Sequence, residues 1–219
     1  MKVAVLIPAY NEAARIKHTL KAVKKIPEVS SIRVVNDGST DDTSRLAKEE
    51  GVEVIDLPRN MGKGQALNLG VQGLDADVFL LLDADLGDTA VEGKHLLQPV
   101  LEGQADLAIA VFPPAQKAGF GWVKGLARWG IAKEGFYAKE PLSGQRAMTK
   151  EVLRDVLPFA SGFGIEVGMT IRALRKGYRL LEVPVNMSHA ATARDLKGFW
   201  HRGRQFVDVL NVIVKEGRS

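Results

Sequence analysis

Short apolar runs alternate with stretches of helical periodicity along the first half of the chain. Val3 to Ile7 is an uninterrupted apolar run, which is typical of a strand buried on both faces. Ile16, Leu20 and Val23 then recur at the spacing of one helix face. The alternation continues to residue 112 and predicts βαβ units. We therefore expect an α/β fold with a mostly parallel central sheet flanked by helices.

The same patterns set the expected boundaries. Further strands are expected at 32–35, 52–57, 78–82 and 107–112, with helices at 40–50 and 64–74. The second half predicts helices at 122–133, 150–157 and 165–176, strands at 142–148 and 179–185, and a final helix from residue 196. A chain of 219 residues suffices for one sizeable core. We expect one domain, 1–219, made of a regular half, 1–112, and a less regular half, 113–219.

An Asp-Ala-Asp sequence stands on each side of the strand expected at 78–82. Ligands of an open parallel sheet bind beyond the carboxyl ends of its strands, and only Asp83 and Asp85 lie at that end. Residues i and i+2 of an extended chain point the same way, so these two carboxylates can share Mg²⁺ or Mn²⁺. Asp75 and Asp77 stand at the opposite edge, where a solvated turn is expected.

Polar loops follow the first three expected strands and should face the same crevice. The second of these loops carries Asp37, which can accept hydrogen bonds from a base or a ribose. The third carries Lys63 and backbone N–H groups near Gly62, which can meet phosphate charge. The spacing of a P-loop is absent, and no GxGxxG follows the first strand, so a dinucleotide-binding fold is not expected.

Four segments, in this order, resemble the family 2 glycosyltransferases of the GT-A fold, which include polyprenyl- and dolichol-phosphate sugar synthases. They are Ile7 to Glu12, Val35 to Thr43, Asn60 to Gly64, and Asp83 to Asp85. The resemblance implies a nucleotide diphosphate sugar as donor and Mg²⁺ or Mn²⁺ as cofactor. It implies that Asp85 is a metal ligand, that Asp83 and its neighbour Ala84 lie near the ribose and the metal, and that the nucleoside is surrounded by Pro8, Tyr10, Glu12 and Asp37.

The segment from Pro158 to Gly168 resembles the acceptor segment of glucosyl-3-phosphoglycerate synthases. That resemblance implies acceptor contacts at Gly162 and Gly164 and a second metal ligand at His189. Glu166 is either a first-turn carboxylate favoured by the helix dipole or a group that contacts sugar or acceptor. A carboxylate here would be a general base in an inverting enzyme and a positioning group in a retaining one, and both outcomes stay open.

Two further residues complete the candidate site. Gly144 and Arg146 are candidate acceptor-binding residues, since an arginine fork suits an acceptor phosphate, although a surface arginine is an equally simple interpretation. The catalytic candidates are therefore Asp85, Glu166 and Arg146.

Composition narrows the partners only slightly. The absence of cysteine excludes disulfides and thiolate metal sites, so any metal must be held by oxygen or imidazole. The net charge of +4 fits a phosphorylated substrate, an anionic membrane surface or nucleic acid. We expect no nucleic-acid partner, and a peripheral membrane contact and a homodimer stay open. The first apolar run is too short for a signal peptide, and none approaches a membrane span, so a cytoplasmic location is expected.

The expected activity is transfer of a hexose from a nucleotide diphosphate sugar, with UDP-glucose favoured over GDP-mannose. Residues 1–112 are then expected to be the nucleotide-sugar-binding half, and residues 113–219, with the C-terminal helix, the acceptor half. The acceptor is either a polyprenyl phosphate or a small phosphorylated molecule. Two alternatives remain at this stage. One is a sugar-nucleotide nucleotidyltransferase, although the glycine-rich loop with arginine and lysine that those enzymes carry after the first strand is missing. The other is a protein that binds nucleotides without catalysis.

Overall fold

The computed structural model describes residues 1–113, 121–160, 162–188 and 197–216, with the backbone alone at 163 and 197–205. Within these ranges a seven-stranded sheet has the order β3-β2-β1-β4-β6-β5-β7. Its strands are β1 Val3–Ala9, β2 Val29–Asn36, β3 Glu53–Asp56, β4 Val78–Leu81, β5 Leu107–Val111, β6 Arg146–Thr149 and β7 Leu180–Pro184.

Helices connect these strands and cover both faces of the sheet. They are α1 Ile16–Val23, α2 Thr43–Glu49, α3 Lys63–Gly70, α4 Gly93–Leu101, α5 Gly121–Ala132, α6 Lys150–Val156, α7 Ile165–Arg175 and α8 Lys197–Glu216. A 3-10 segment, Gly87–Glu92, precedes α4. No helix within the described ranges is long and apolar enough to cross a membrane.

The most apolar strands occupy the middle of the sheet because both of their faces are covered. Every residue of β4 is buried, and β1 is buried except at Pro8. One face packs with α1 and α4 around residues such as Leu20 and Leu96, and the other packs with α3, α6 and α7 around residues such as Leu67 and Met169. A third cluster joins α5, α7 and α8. The expected mostly parallel α/β architecture is thereby confirmed.

The direction of β6 is the feature of the sheet that most affects the site. β6 runs antiparallel between β4 and β5, with Leu81 opposite Arg146 and Thr149 opposite Val78. The expected strand 142–148 therefore begins four residues later, at Arg146. Its amino end, unlike that of the other strands, lies beside the carboxyl end of β4. This reversal brings Gly144 and Gln145 next to Asp83.

Candidate functional site

The loops after β1 and β2 are joined by hydrogen bonds at the carboxyl edge of the sheet. Asn11 has a left-handed backbone conformation, with φ of 56°, which asparagine tolerates better than most residues. Its backbone N–H donates to Ser39 Oγ at 3.0 Å, and its side-chain oxygen accepts from the Thr40 N–H at 2.8 Å. The Glu12 N–H donates to Thr43 Oγ1 at 2.8 Å. These bonds fix Tyr10, which is 45% exposed, and Glu12 at the carboxyl edge of the sheet.

Asp37 fixes the third loop. The carboxylate is buried and accepts from the N–H of Met61 at 2.7 Å and of Gly62 at 2.9 Å. Gly38 lies so close to this loop that an added Cβ would be 2.3 Å from the carbonyl carbon of Arg59. The base or ribose contact expected for Asp37 stays a prediction. In the structure its carboxylate holds Met61 and Gly62 and thereby positions the loop that leads to Lys63.

Lys63 joins the two halves of the chain at the centre of the crevice. Its Nζ lies 2.8 Å from Asp83 Oδ1 and 3.1 Å from Glu166 Oε1. Burial opposes the charge on Lys63, but the two carboxylates outweigh it and raise the pKa of the ammonium group. Lys63 therefore remains charged at neutral pH.

Gln145 and Gly144 complete this centre from the start of β6. The Gln145 side chain donates to Asp83 Oδ2 at 2.6 Å and accepts from the Asp83 N–H at 2.9 Å. A Cβ added to Gly144 would lie 2.4 Å from Lys63 Nζ, 3.3 Å from Asp83 Oδ2 and 3.4 Å from Glu166 Oε1. Gly144 thus leaves room for the Lys63 pairs. Sequence reasoning missed the role of Gln145, because the contact depends on the antiparallel pairing of β4 with β6.

Carboxylates accumulate beside Asp85 on the other side of the crevice. Burial raises the pKa of Glu12, and the charge of Asp85 raises it further, with smaller contributions from Asp41 and Asp83 in the same direction. Arg15 opposes this effect and donates from Nη1 to the backbone carbonyl of Asp85 at 3.2 Å. The buried Ala84 carbonyl accepts from Thr19 Oγ1 at 2.7 Å. The edge therefore combines concentrated negative charge with a fixed backbone, which suits a divalent cation.

Of the two expected metal ligands, Asp85 and His189, only Asp85 lies within the described residues. His189 lies outside the described residues, so its position stays a prediction. The residue before it, Ser188, donates its N–H to Thr89 Oγ1 at 3.2 Å. Thr89 follows Asp85 by four residues, so the described range 162–188 ends beside the segment that begins at Asp85. Among the described residues, no group of three or more imidazole and carboxylate side chains could hold a metal. The carboxylates near Asp85 fit a cation whose remaining ligands are phosphate oxygens and water.

Arg146 lies in the protein interior and is not exposed to a ligand. The side chain is fully buried, Nε donates to the Ser143 carbonyl at 2.9 Å, and Nη1 donates to Thr170 Oγ1 at 2.9 Å. Burial lowers the pKa of Arg146 to about 10, against the opposing charges of Glu166 and Glu182, so the guanidinium stays protonated. The Thr170 hydroxyl that accepts from Arg146 also donates to the Glu166 carbonyl at 2.8 Å. Arg146 therefore stabilises the backbone at Glu166. The expected phosphate contact needs an accessible guanidinium, and this arrangement does not provide one.

The two glycines expected at the acceptor pack closely against α8. Gly162 has φ of 68°, and a Cβ there would lie 2.1 Å from Asp208 Oδ2. A Cβ on Gly164 would lie 2.3 Å from a methyl group of Val212. Their small size permits the close approach of α8, which in turn positions Glu166 at the start of α7. The acceptor contacts expected at Gly162 and Gly164 stay predictions.

The first Asp-Ala-Asp sequence lies at the opposite edge of the sheet. Asp75 forms exposed ion pairs with Lys2 and Lys150, and Asp77 accepts from the backbone N–H of Lys2 at 2.7 Å. The two Asp-Ala-Asp sequences thus lie at opposite ends of β4, as their positions around the strand predict.

Carboxylates and a lysine paired between two of them lie at the carboxyl edge of this α/β sheet, where ligands of such folds bind. Residues 4–165 match the profile of glycosyl transferase family 2. The match covers well over half of the chain, and the chain therefore belongs to that family. The resemblance found in its four sequence segments is confirmed.

Curated relatives include both kinds of enzyme that the sequence resembles. The chain is 29% identical over 194 residues to glucosyl-3-phosphoglycerate synthase of Mycobacterium tuberculosis, covering 77% of this chain and 60% of that protein. It is 27% identical over 201 residues to undecaprenyl-phosphate mannosyltransferase of Micrococcus luteus, covering 84% and 83%. Glycosyltransferase AglJ of Haloferax volcanii is 29% identical over 191 residues, covering 83% and 61%. The chain thus spans about six-tenths of the length of two of these relatives.

Solved structures agree with this placement. Glucosyl-3-phosphoglycerate synthase of Mycobacterium tuberculosis, crystallised with Mn²⁺, UDP and glucosyl-3-phosphoglycerate, superposes with a TM-score of 0.80 at 27% identity. The superposition covers 97% of this chain and 80% of that one. A crystal structure of the same enzyme with Mn²⁺, UDP-glucose and phosphoglyceric acid gives a TM-score of 0.79, also at 27% identity, covering 97% and 79%.

Proposed function

We propose that this chain is a metal-dependent glycosyltransferase that transfers a hexose from a nucleotide diphosphate sugar to a phosphate-bearing acceptor. The observation that carries the proposal is the contact of Lys63 with both Asp83 and Glu166. The ammonium group of Lys63 thereby contacts one carboxylate that we assign to the donor side and one that we assign to the acceptor side. A sugar bound between them would lie where donor and acceptor meet.

The donor half of the crevice suits a nucleotide diphosphate. Pro8 lies near the end of β1, the loop carrying Tyr10 and Glu12 is fixed against the loop after β2, and Asp37 holds the N–H groups of the third loop in place. Lys63 supplies positive charge for the phosphates. UDP-glucose is favoured as donor because the enzyme from Mycobacterium tuberculosis, similar along most of this chain, was crystallised with UDP-glucose.

Asp85 and His189 would hold Mg²⁺ or Mn²⁺ together with donor phosphate oxygens. The bound metal would neutralise the diphosphate and stabilise it as the leaving group. The negative charge around Glu12 and Asp85 supports a cation at this position. Asp83, held by Gln145 and Lys63, would orient the donor between the metal and the sugar.

The acceptor half is formed around Glu166. Its carboxylate is mostly buried, pairs with Lys63 and rests on the Thr170–Arg146 contact. In an inverting reaction Glu166 would take the proton from the attacking hydroxyl or phosphate group, and in a retaining one it would hold the acceptor in place. Lys63 would release Glu166 and neutralise the negative charge of the bound acceptor. A small phosphorylated acceptor and a polyprenyl phosphate both meet these requirements.

Incubation with defined substrates tests the proposal. The protein is mixed with UDP-glucose or GDP-mannose, Mn²⁺ and either 3-phosphoglycerate or a polyprenyl phosphate, and the products are identified by mass spectrometry. Sugar transfer to one acceptor supports the proposal. Release of pyrophosphate from a nucleoside triphosphate and a sugar phosphate would identify a nucleotidyltransferase instead. Binding of the nucleotide sugar without turnover of any acceptor would leave only a binding protein.

The two Asp-Ala-Asp sequences supply a matched pair of variants for the metal site. Asp85→Ala is expected to lower sugar transfer by about a hundredfold or more, because the diphosphate loses charge neutralisation. Asp75→Ala removes a carboxylate from the other Asp-Ala-Asp sequence, at the opposite edge of the sheet, and should leave transfer unchanged. Equal activity of both variants would show that Asp85 is not a metal ligand.

A further inference from the structure

Three large amphipathic aromatic side chains stand in solvent around α5. Trp122 is 89% exposed, Trp129 is 54% exposed, and Tyr137, on the loop after the helix, is 86% exposed. Together with Lys133 and Lys139 we call these residues the aromatic face. Single exposed apolar residues are ordinary, but two tryptophans and a tyrosine on adjoining segments form a surface that calls for a partner.

Hydrogen bonds join the loop after α5 to the helix, so the residues of the aromatic face are held in fixed positions. Arg128, in the middle of α5, donates to the carbonyls of Ala138 and Lys139 at 3.1 and 2.7 Å. Lys124 pairs with Glu140 at the end of the loop. The buried side of α5 packs against α7 and α8, which holds the helix on the body of the protein.

Positive charge is interleaved with these aromatic residues. Residues 121–140 contain four basic and two acidic side chains, and both acidic ones are paired, Glu134 with Arg175 of α7 and Glu140 with Lys124. The Nζ of Lys133 lies 3.6 Å from the centre of the Trp129 ring, so this aromatic group carries a cation on its face. A partner of this surface must therefore accept apolar rings and bring negative charge.

We propose that the aromatic face docks the protein on an anionic lipid bilayer. Tryptophan and tyrosine settle at the level of lipid head groups because one part of each ring system is apolar and another part forms hydrogen bonds. Lysine beside them is attracted to anionic lipid. A second copy of this chain is a poorer occupant, since a two-fold contact would bring the same excess of cations face to face.

A shallow, open groove lies on the aromatic face between the two indole rings. It has a volume of about 520 Å³ and is lined by Gly121, Trp122, Gly125, Leu126, Trp129 and Phe206. An added Cβ at either glycine would meet nothing within 4 Å, so the glycines leave this groove open. Lipid head-group carbons can contact the groove when the rings enter the interface.

Vesicle flotation with the full chain tests this docking. Vesicles of phosphatidylcholine with phosphatidylglycerol should carry the protein upward, whereas pure phosphatidylcholine should not. Binding should weaken as salt rises from about 0.05 M to about 0.5 M, because screening shortens the reach of the lysines. Tryptophan emission should shift to shorter wavelength only with the anionic vesicles.

Two double variants separate the aromatic and the charge contributions. Trp122→Ser with Tyr137→Ser changes two exposed positions and should lower the bound fraction about tenfold or more. Lys133→Gln with Lys139→Gln should lower the apparent affinity about 20-fold at low salt. Lys25→Gln with Lys94→Gln, which changes two exposed lysines elsewhere, is the charge-matched control.

The proposal fails if the protein does not float with anionic vesicles or if both test variants float like the parent chain. It also fails if sedimentation shows a dimer that the Trp122→Ser, Tyr137→Ser variant breaks, because the face would then be a protein interface. Circular dichroism of each variant confirms that the fold is retained. The docking does not depend on the proposed activity, so failure of either leaves the other standing.

Discussion

At the scale of single residues, the space at Gly144 decides whether Lys63 can reach both of its carboxylates. An alanine Cβ would lie 2.4 Å from Lys63 Nζ, and the flexible lysine would have to move away from Asp83 and Glu166. We expect Gly144→Ala to lower sugar transfer by about a hundredfold, since small misplacements of reacting groups have effects of this size. The free energy of unfolding should change by no more than about 1 kcal/mol, because the atom displaced is the end of a long side chain. Steady-state kinetics and urea unfolding measure the two effects.

The matched control is Gly125→Ala, at a helical position where an added Cβ meets nothing within 4 Å. Transfer to a soluble acceptor should be unchanged, and the free energy of unfolding should stay the same or rise, because alanine is a better helix former than glycine. Full activity in the Gly144→Ala variant would show that Lys63 need not touch both carboxylates. The assignment of Lys63 as the link between donor and acceptor would then be wrong.

The residues around Gly144 also show what the sequence could and could not predict about the site. Asp83 and Asp85 were recognisable because they follow a buried strand, and Lys63 because it stands in a glycine-rich loop. The burial of Arg146 was not predictable, since it depends on Thr170 of a distant helix and on the carbonyl of Ser143. Local spacing identifies strand ends well, whereas contacts between distant segments require the sheet order.

At the scale of elements, an ion pair joins the starts of β5 and β7. Asp106 accepts from Arg179 Nη2 at 2.8 Å and Nε at 3.1 Å, and from the Arg179 backbone N–H at 2.7 Å. The Arg179 side-chain hydrogen bonds lower the pKa of Asp106. Asp106→Asn should therefore lower the free energy of unfolding at pH 7 by about 1 kcal/mol, a value reduced for solvent screening of an exposed arginine.

The pH dependence of this loss has a definite sign. The folded pKa of Asp106 lies below its unfolded value, so the stabilisation is present above the unfolded pKa and is lost as the pH falls through the folded one. Parent and Asp106→Asn proteins should thus converge in urea unfolding as the solution is acidified. Glu28→Gln, at an exposed position, should follow the parent at every pH. A constant difference between Asp106→Asn and the parent would mean that packing, and not ionisation, accounts for the loss.

The element scale is also where the sequence predicted most of the fold. β1, β2 and β4 were visible as apolar runs, and α7 as a periodic segment that ends near Gly177. The segment 86–106 gave no comparable signal, and the structure places a 3-10 segment and α4 there, with Pro99 inside the helix. The antiparallel β6 was expected as a strand but not as the partner of β4. Its pairing joins residues more than sixty positions apart, which no local pattern encodes.

At the scale of the whole molecule, the site draws on both halves of the chain, so ligand binding and folding should be linked. The nucleotide loops come from residues before 90, whereas Gly144, Gln145 and Glu166 come from the second half. A nucleotide and a metal that bind only this joined arrangement must shift the unfolding equilibrium toward the folded state. The stabilisation depends on the ratio of ligand concentration to dissociation constant and not on the number of contacts.

UDP and Mn²⁺ together should accordingly raise the melting temperature of the protein. At a ligand concentration about 100 times the dissociation constant, the expected stabilisation is about 2.7 kcal/mol. For a chain of this size that corresponds to a rise of roughly 5–10 °C, measured by differential scanning fluorimetry. EDTA should abolish most of the rise, because the carboxylates near Asp85 repel the diphosphate when no cation lies between them. A full rise in EDTA would mean that Lys63 alone neutralises the phosphates, and the metal would then have no part in donor binding.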